Sequence, residues 1–99
     1  MGEPMYIRHT ETESIMGDRI VLYYFTTEIN RNVSDGEFCY GVGIDMYTQL
    51  PGERTIKERK ISDGIFNSKR EAERFIDMLC KYTVTPSTLE DVIEDNVIA

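Results

Sequence analysis

The chain has 99 residues, of which 40% are hydrophobic and 29% charged, and its formal net charge is −7. This length and composition are typical of one globular domain and exclude wholesale disorder. The negative charge argues against a general affinity for nucleic acid or anionic membranes, because clustered lysine and arginine bind phosphates. We find no signal peptide and no apolar run of the ~20 residues that span a membrane, so we expect a soluble, cytoplasmic protein.

Residues 1–17 are polar, contain Pro4 and Gly17, and show no sustained hydrophobic period. They predict a flexible N-terminal arm, or one irregular edge segment, ahead of a single domain over residues 18–99. The only histidine, His9, lies in this segment. We expect it at the surface, because histidine chemistry needs partners that fix its tautomer.

Three segments predict β-strands. Residues 19–29 contain six consecutive apolar or aromatic side chains, which is typical of a central strand. Residues 30–37 include an Asp-Gly pair and predict a hairpin turn. Residues 38–48 alternate between two faces, and residues 54–61 form a more polar strand that is expected at a sheet edge.

The alternation in the second predicted strand separates a core face from an opposite face. The residues that we expect to face the core are Phe38, Tyr40, Val42, Ile44 and Met46. The opposite face includes Gly41 and Gly43, which predict a bulge or the close approach of another backbone.

Two helices follow the strands. Over residues 68–82, Ser68 and Glu71 fit a capping box at the helix start. An apolar stripe at helical spacing contains Ala72, Phe75, Ile76, Leu79 and Cys80. A second, short helix is predicted to begin near Pro86. The predicted fold class is therefore α+β: a three-stranded antiparallel sheet (β-β-β-α-α), a helix packed on one face and a short C-terminal helix.

The motifs of common active sites are absent from the sequence. There is no P-loop, dinucleotide fingerprint, zinc spacing or calcium loop. Cys39 and Cys80 are far apart, and we expect them to be buried free thiols. We therefore expect no enzymatic activity, no cofactor and no metal.

A three-stranded sheet with one covered face leaves apolar side chains of residues 20–25 pointing outward, and exposed apolar patches mark interaction surfaces. The sequence therefore predicts a protein–protein interaction or regulatory module with an unknown protein partner. A homodimer joined through the sheet or the C-terminal helix is one such arrangement. The candidate interaction residues on that helix are Glu90, Asp91, Glu94 and Asp95.

An alternative hypothesis is a sheet that binds DNA through its basic third strand, with Arg31 as a further contact. The candidate residues are Arg54, Lys57, Arg59 and Lys60. Charged side chains here are also typical of a solvated sheet edge.

The predicted hairpin and third strand, followed by GIFNSKREAERFIDML (64–79), resemble the arm-DNA-binding domain of tyrosine recombinases, in which one helix follows a three-stranded sheet. The residues that match the family's helix start are Phe66, Ser68, Lys69, Arg70, Glu71, Ala72 and Phe75. This resemblance implies a sheet that contacts the major groove with basic and aromatic side chains.

Other segments resemble a small, uncharacterised bacterial family of domains of unknown function. These segments are YYFTTEI (23–29), YGVGIDM (40–46) and VTPSTLEDVIEDNV (84–97), together with the first helix. The resemblance implies a complete small protein, and it brings no established activity, catalytic residue or cofactor.

Overall fold

The computed structural model describes residues 5–32 and 37–98. Four strands form one antiparallel sheet in which each strand pairs with the next along the chain. The strands are β1 (Tyr6–Glu13), β2 (Arg19–Asn32), β3 (Glu37–Leu50) and β4 (Arg54–Phe66). The helical elements are α1 (Lys69–Lys81), a 3₁₀ turn (Pro86–Thr88), α2 (Leu89–Ile93) and a π-helical turn (Glu94–Ile98). The predicted α+β class, with helices against the sheet, is confirmed.

The predicted number of strands is wrong, because the sheet has four strands and not three. The additional strand is β1, which lies within residues 1–17, where we expected a flexible arm or an irregular edge segment. It pairs with β2, and the register shifts between Tyr6 and Arg8. The sequence hides this strand because it is an edge strand with mostly exposed, polar side chains, and only Ile7 packs against the core.

The three predicted strands are present in the predicted order as β2, β3 and β4, and each is longer than expected. The turn between β3 and β4 places Gly52 and Glu53 at positive φ angles of 80° and 61°. The predicted hairpin turn between β2 and β3 includes residues 33–36, which lie outside the described residues.

The hydrophobic core lies between one face of the sheet and the helical layer. Its buried members are Leu22, Tyr24, Val42, Ile44, Ala72, Phe75, Ile76, Leu79, Val84, Leu89 and Ile93. The predicted stripe of α1 is thus confirmed. Phe38 was expected in this core, but it is 43% exposed. It lies beyond Tyr40, the last residue at that end of β3 that packs against the core.

Hydrogen bonds hold the helical layer in place. Ser68 Oγ accepts a hydrogen bond of 3.1 Å from the backbone N–H of Glu71, which confirms the part of the predicted capping box that Ser68 supplies. The buried hydroxyl of Tyr24 donates a 2.9 Å hydrogen bond to the carbonyl of Val84, just before the C-terminal helical segment. No helix among the described residues is long and apolar enough to cross a bilayer.

Candidate binding site on the helix-free face of the sheet

The face of the sheet opposite the helices carries aromatic side chains from three strands. Tyr6 lies opposite Phe25 in the β1–β2 pairing, and Tyr47 lies opposite Val21 in the β2–β3 pairing. Because side chains alternate along a strand, these residues and Tyr23 share one side of the sheet. We call the surface formed by Tyr6, Val21, Tyr23, Phe25 and Tyr47 the tyrosine face.

The aromatic rings of the tyrosine face form a contiguous cluster. The ring centres of Tyr6 and Tyr23 are 4.8 Å apart, and those of Tyr23 and Tyr47 are 5.7 Å apart. These separations are typical of favourable aromatic pairs. Val21 and Phe25 point outward, yet they are only 8% and 2% exposed. The surface is therefore made of partly exposed tyrosine rings, not of a bare aliphatic patch.

Two glycines of β3 allow this face to pack closely. A Cβ atom on Gly43 would lie 2.3 Å from the Phe25 ring, so the ring occupies the space above the glycine. A Cβ atom on Gly41 would lie 2.2 Å from the backbone oxygen of Ser62. The β3–β4 register also shifts beside Gly41. The predicted bulge and close approach are confirmed at Gly41, whereas at Gly43 the approaching group is a side chain.

Asp45, Arg59 and Tyr6 form a hydrogen-bonded charged cluster at the tyrosine face. Asp45 is fully buried, and its carboxylate accepts hydrogen bonds of 2.6 and 2.8 Å from the Arg59 guanidinium. The Tyr6 hydroxyl donates a further hydrogen bond of 2.5 Å to Asp45. Burial raises the pKa of Asp45, but the hydrogen bonds from Arg59 and Tyr6 outweigh burial and hold this pKa below its usual value.

The same contacts fix the protonation and the position of Tyr6. Burial and the hydrogen bond to the Asp45 carboxylate raise the pKa of Tyr6, so its phenol stays protonated and remains a donor. The Arg59 guanidinium also lies 5.4 Å from the centre of the Phe25 ring. The cluster therefore ties β1, β3 and β4 together beneath the rings. Local sequence patterns do not indicate this cluster, although Asp45 is the one charged residue in the segment 38–48.

An open depression of about 450 Å³ lies on the tyrosine face. Its lining residues are Tyr6, Arg19, Val21, Tyr23, Tyr47, Gln49, Thr55 and Lys57. The Lys57 ammonium lies 5.5 Å from the centre of the Tyr47 ring. Arg19 forms a 2.5 Å ion pair with Glu11, which lowers the pKa of that carboxyl. The site thus offers aromatic surface, two cations, an amide and a hydroxyl.

The four basic residues of the DNA-binding hypothesis do not form one strip. In the β3–β4 register, Lys57 and Arg59 lie on the tyrosine face, whereas Arg54 and Lys60 lie on the opposite face. Arg59 is engaged by Asp45, and Lys60 forms a 2.8 Å ion pair with Glu90. The strand that carries them is an edge strand, as predicted. The side chain of Arg31 lies outside what the structure describes.

The four acidic residues of the predicted interaction helix are all exposed. Glu90 and Asp91 lie on α2, while Glu94 and Asp95 lie on the π-helical turn that follows it. This acidic surface belongs to the helical layer, on the opposite side of the sheet from the tyrosine face.

The remaining reactive side chains are dispersed. His9 is exposed, as expected, and its ring centre lies 6.0 Å from that of Tyr23. Both thiols are free, with Cys39 buried and Cys80 half-buried. Among residues 5–32 and 37–98, no three histidine, cysteine or acidic side chains come together in a way that could hold a metal ion.

Residues 5–99 match the family described as "Family of unknown function (DUF6514)". The match spans nearly the whole chain, so this protein belongs to that family, and the predicted membership of a family of unknown function is confirmed. No curated protein and no solved structure matches the sequence.

Proposed function

We propose that this family member is a small, non-catalytic binding module that recognises a protein partner through the tyrosine face. The observation that carries the proposal is the cluster of partly exposed rings of Tyr6, Tyr23 and Tyr47 around the 450 Å³ depression. Tyrosine is enriched at protein interfaces because its ring buries a large area while few rotatable bonds are fixed.

Rigidity also supports the proposal. The Tyr6 hydroxyl is held by Asp45, which Arg59 anchors in turn, so this ring is positioned before a partner arrives. A preorganised surface loses less conformational entropy on binding than a mobile one.

The proposal also includes a regulatory role and a bacterial, cytoplasmic setting. The free thiols of Cys39 and Cys80 fit a reducing compartment.

The test is affinity capture from the native cells with tagged wild-type protein and two variants. Tyr47→Ser removes a ring of the tyrosine face, whereas the matched control Tyr82→Ser removes a tyrosine that is 66% exposed at the end of α1. Circular dichroism first checks that both variants are folded. We expect one specific protein to be recovered with the wild type and with Tyr82→Ser, and to be lost with Tyr47→Ser.

Equal recovery with all three proteins would refute a role for the tyrosine face. Recovery of DNA that is lost at high salt, and is reduced by Lys57→Gln, would instead support the DNA-binding hypothesis. A second copy of the chain is a further form of partner. Light scattering of the purified protein would reveal a dimer, and Tyr47→Ser should then convert it to a monomer.

A further inference from the structure

The lining of the depression differs in charge from the rest of the chain. The protein has 18 acidic and 11 basic residues, yet the lining contains Arg19 and Lys57 and no carboxylate. Of the nearby acids, Asp45 is fully buried and bound by Arg59, and Glu11 is paired with Arg19. On this negatively charged protein, the lining therefore keeps one cation, Lys57, whose charge is not offset by an ion pair with a described residue.

Of the two cations, Lys57 is the one available to a ligand. Arg19 is already within 2.5 Å of Glu11, which offsets its charge. Lys57 makes no ion pair with any described residue, and its ammonium lies beside the Tyr47 ring. An ammonium with no carboxylate partner, which lines a depression together with aromatic rings, suits an incoming carboxylate.

The aromatic part of the lining suits an apolar side chain. Val21 lies opposite Tyr47 in the β2–β3 pairing and two residues from Tyr23, and it is 8% exposed. Gln49 and Thr55 lie opposite each other on β3 and β4 and add hydrogen-bonding groups at the same end of the depression. A ligand that places an apolar group against the rings can thus reach Lys57 with an adjacent anionic group.

We propose that the depression binds a short acidic segment of the partner protein, with one carboxylate at Lys57 and a neighbouring apolar side chain on the tyrosine rings. This inference rests on the proposed function and specifies the chemistry of the partner. A volume of about 450 Å³ is in the range of small-ligand sites and suits a few side chains.

A peptide fits this site better than a nucleic acid backbone does. Phosphate backbones are bound by several cations spaced along the strand. On the tyrosine face of β4, the neighbours of Lys57 are Thr55, which is uncharged, and Arg59, which is held by Asp45. One available ammonium in the lining of the depression matches a single carboxylate.

The test uses two blocked tripeptides, acetyl-leucine–glutamate–phenylalanine-amide and its glutamine counterpart, titrated into the full chain with isotope-labelled tyrosine. We expect the glutamate peptide to shift the ring signals of Tyr23 and Tyr47. It should bind about two- to fivefold more tightly than the glutamine peptide, which is the range for one partly exposed ion pair. This advantage should disappear in 1 M salt, where the screening length is about 3 Å.

Two variants make the test specific. Lys57→Gln should abolish the preference for glutamate, while Lys60→Gln should retain it, because Lys60 lies on the other face and is paired with Glu90. Equal affinity for the two peptides, or no shift of the tyrosine signals with either, would overturn the acidic specificity. Affinity capture tests the proposed function separately. If a partner is recovered with Lys57→Gln but not with Tyr47→Ser, only the acidic specificity is refuted, and the proposed function stands.

Discussion

Replacing Arg59 by glutamine is expected to destabilise the protein more than replacing its partner Asp45 by asparagine. The two side chains share the same two hydrogen bonds, but they differ in exposure. The Asp45 side chain is fully buried, whereas the Arg59 side chain is 40% exposed. Loss of Arg59 therefore leaves a buried charge, while loss of the Asp45 charge leaves a guanidinium that water can solvate.

The structure sets the expected magnitudes. Removing one partner from a buried pair costs about 3–5 kcal/mol, and we expect Arg59→Gln at about 3 kcal/mol because Tyr6 still donates to the carboxylate. Asp45→Asn keeps a polar acceptor near Arg59 and should cost about 1–2 kcal/mol. The double variant contains no buried charge, so it should be about 1 kcal/mol more stable than Arg59→Gln alone.

The assay is urea unfolding at pH 7, followed by circular dichroism and by the fluorescence of the six tyrosines, since the chain has no tryptophan. A matched control is Lys57→Gln, which removes a neighbouring cation of β4 that holds no buried carboxylate. The reasoning is refuted if Arg59→Gln is no more destabilising than Asp45→Asn, or if the two losses of stability simply add.

Three further predictions concern the fold around the site. Gly41→Ala should destabilise the protein by about 1–3 kcal/mol in thermal unfolding, because the new methyl group would meet the Ser62 backbone oxygen. An unchanged melting temperature would contradict the close approach. Tyr24→Phe should lower the free energy of unfolding by about 1–3 kcal/mol, since it leaves the buried Val84 carbonyl without its donor. An unchanged urea midpoint would count against that hydrogen bond. The pKa of Asp45 is lowered in the folded protein, so its carboxylate stabilises the fold at pH values above its unfolded pKa of about 4. This stabilisation is lost as the pH falls through the folded pKa. The free energy of unfolding, measured at decreasing pH, should therefore fall less steeply in Asp45→Asn than in the wild type.

Local sequence patterns are sufficient to predict the helices and the central strands. The apolar period of α1 and its Ser68 cap depend on residues at most eight positions apart, which is why the predicted helix agrees with Lys69–Lys81. The strand β1 cannot be predicted from local patterns, because its own residues show no strand pattern. It is a strand because it pairs with β2. Its polar side chains face solvent on an edge, where no core imposes an alternation.

Only separate parts of the candidate site can be predicted from the sequence. The sequence reveals an apolar strand, two small glycines and a basic strand, and it predicts that one sheet face lacks a helical cover. It does not reveal that Tyr6 reaches Asp45, 39 residues away. Nor does it show that the basic residues divide between two faces, because that division depends on the β3–β4 register.

By itself, the sequence determined the α+β class, the order of β2, β3, β4 and α1, and the buried sides of α1 and of most of β3, because periodicity and caps are properties of neighbouring residues. Only the tertiary structure decided the fourth strand, the burial of Asp45 between Arg59 and Tyr6, and the meeting of Tyr6, Tyr23 and Tyr47 around one depression. These features arise from the pairing of distant strands, in which a shift by one residue would move every side chain to the other face.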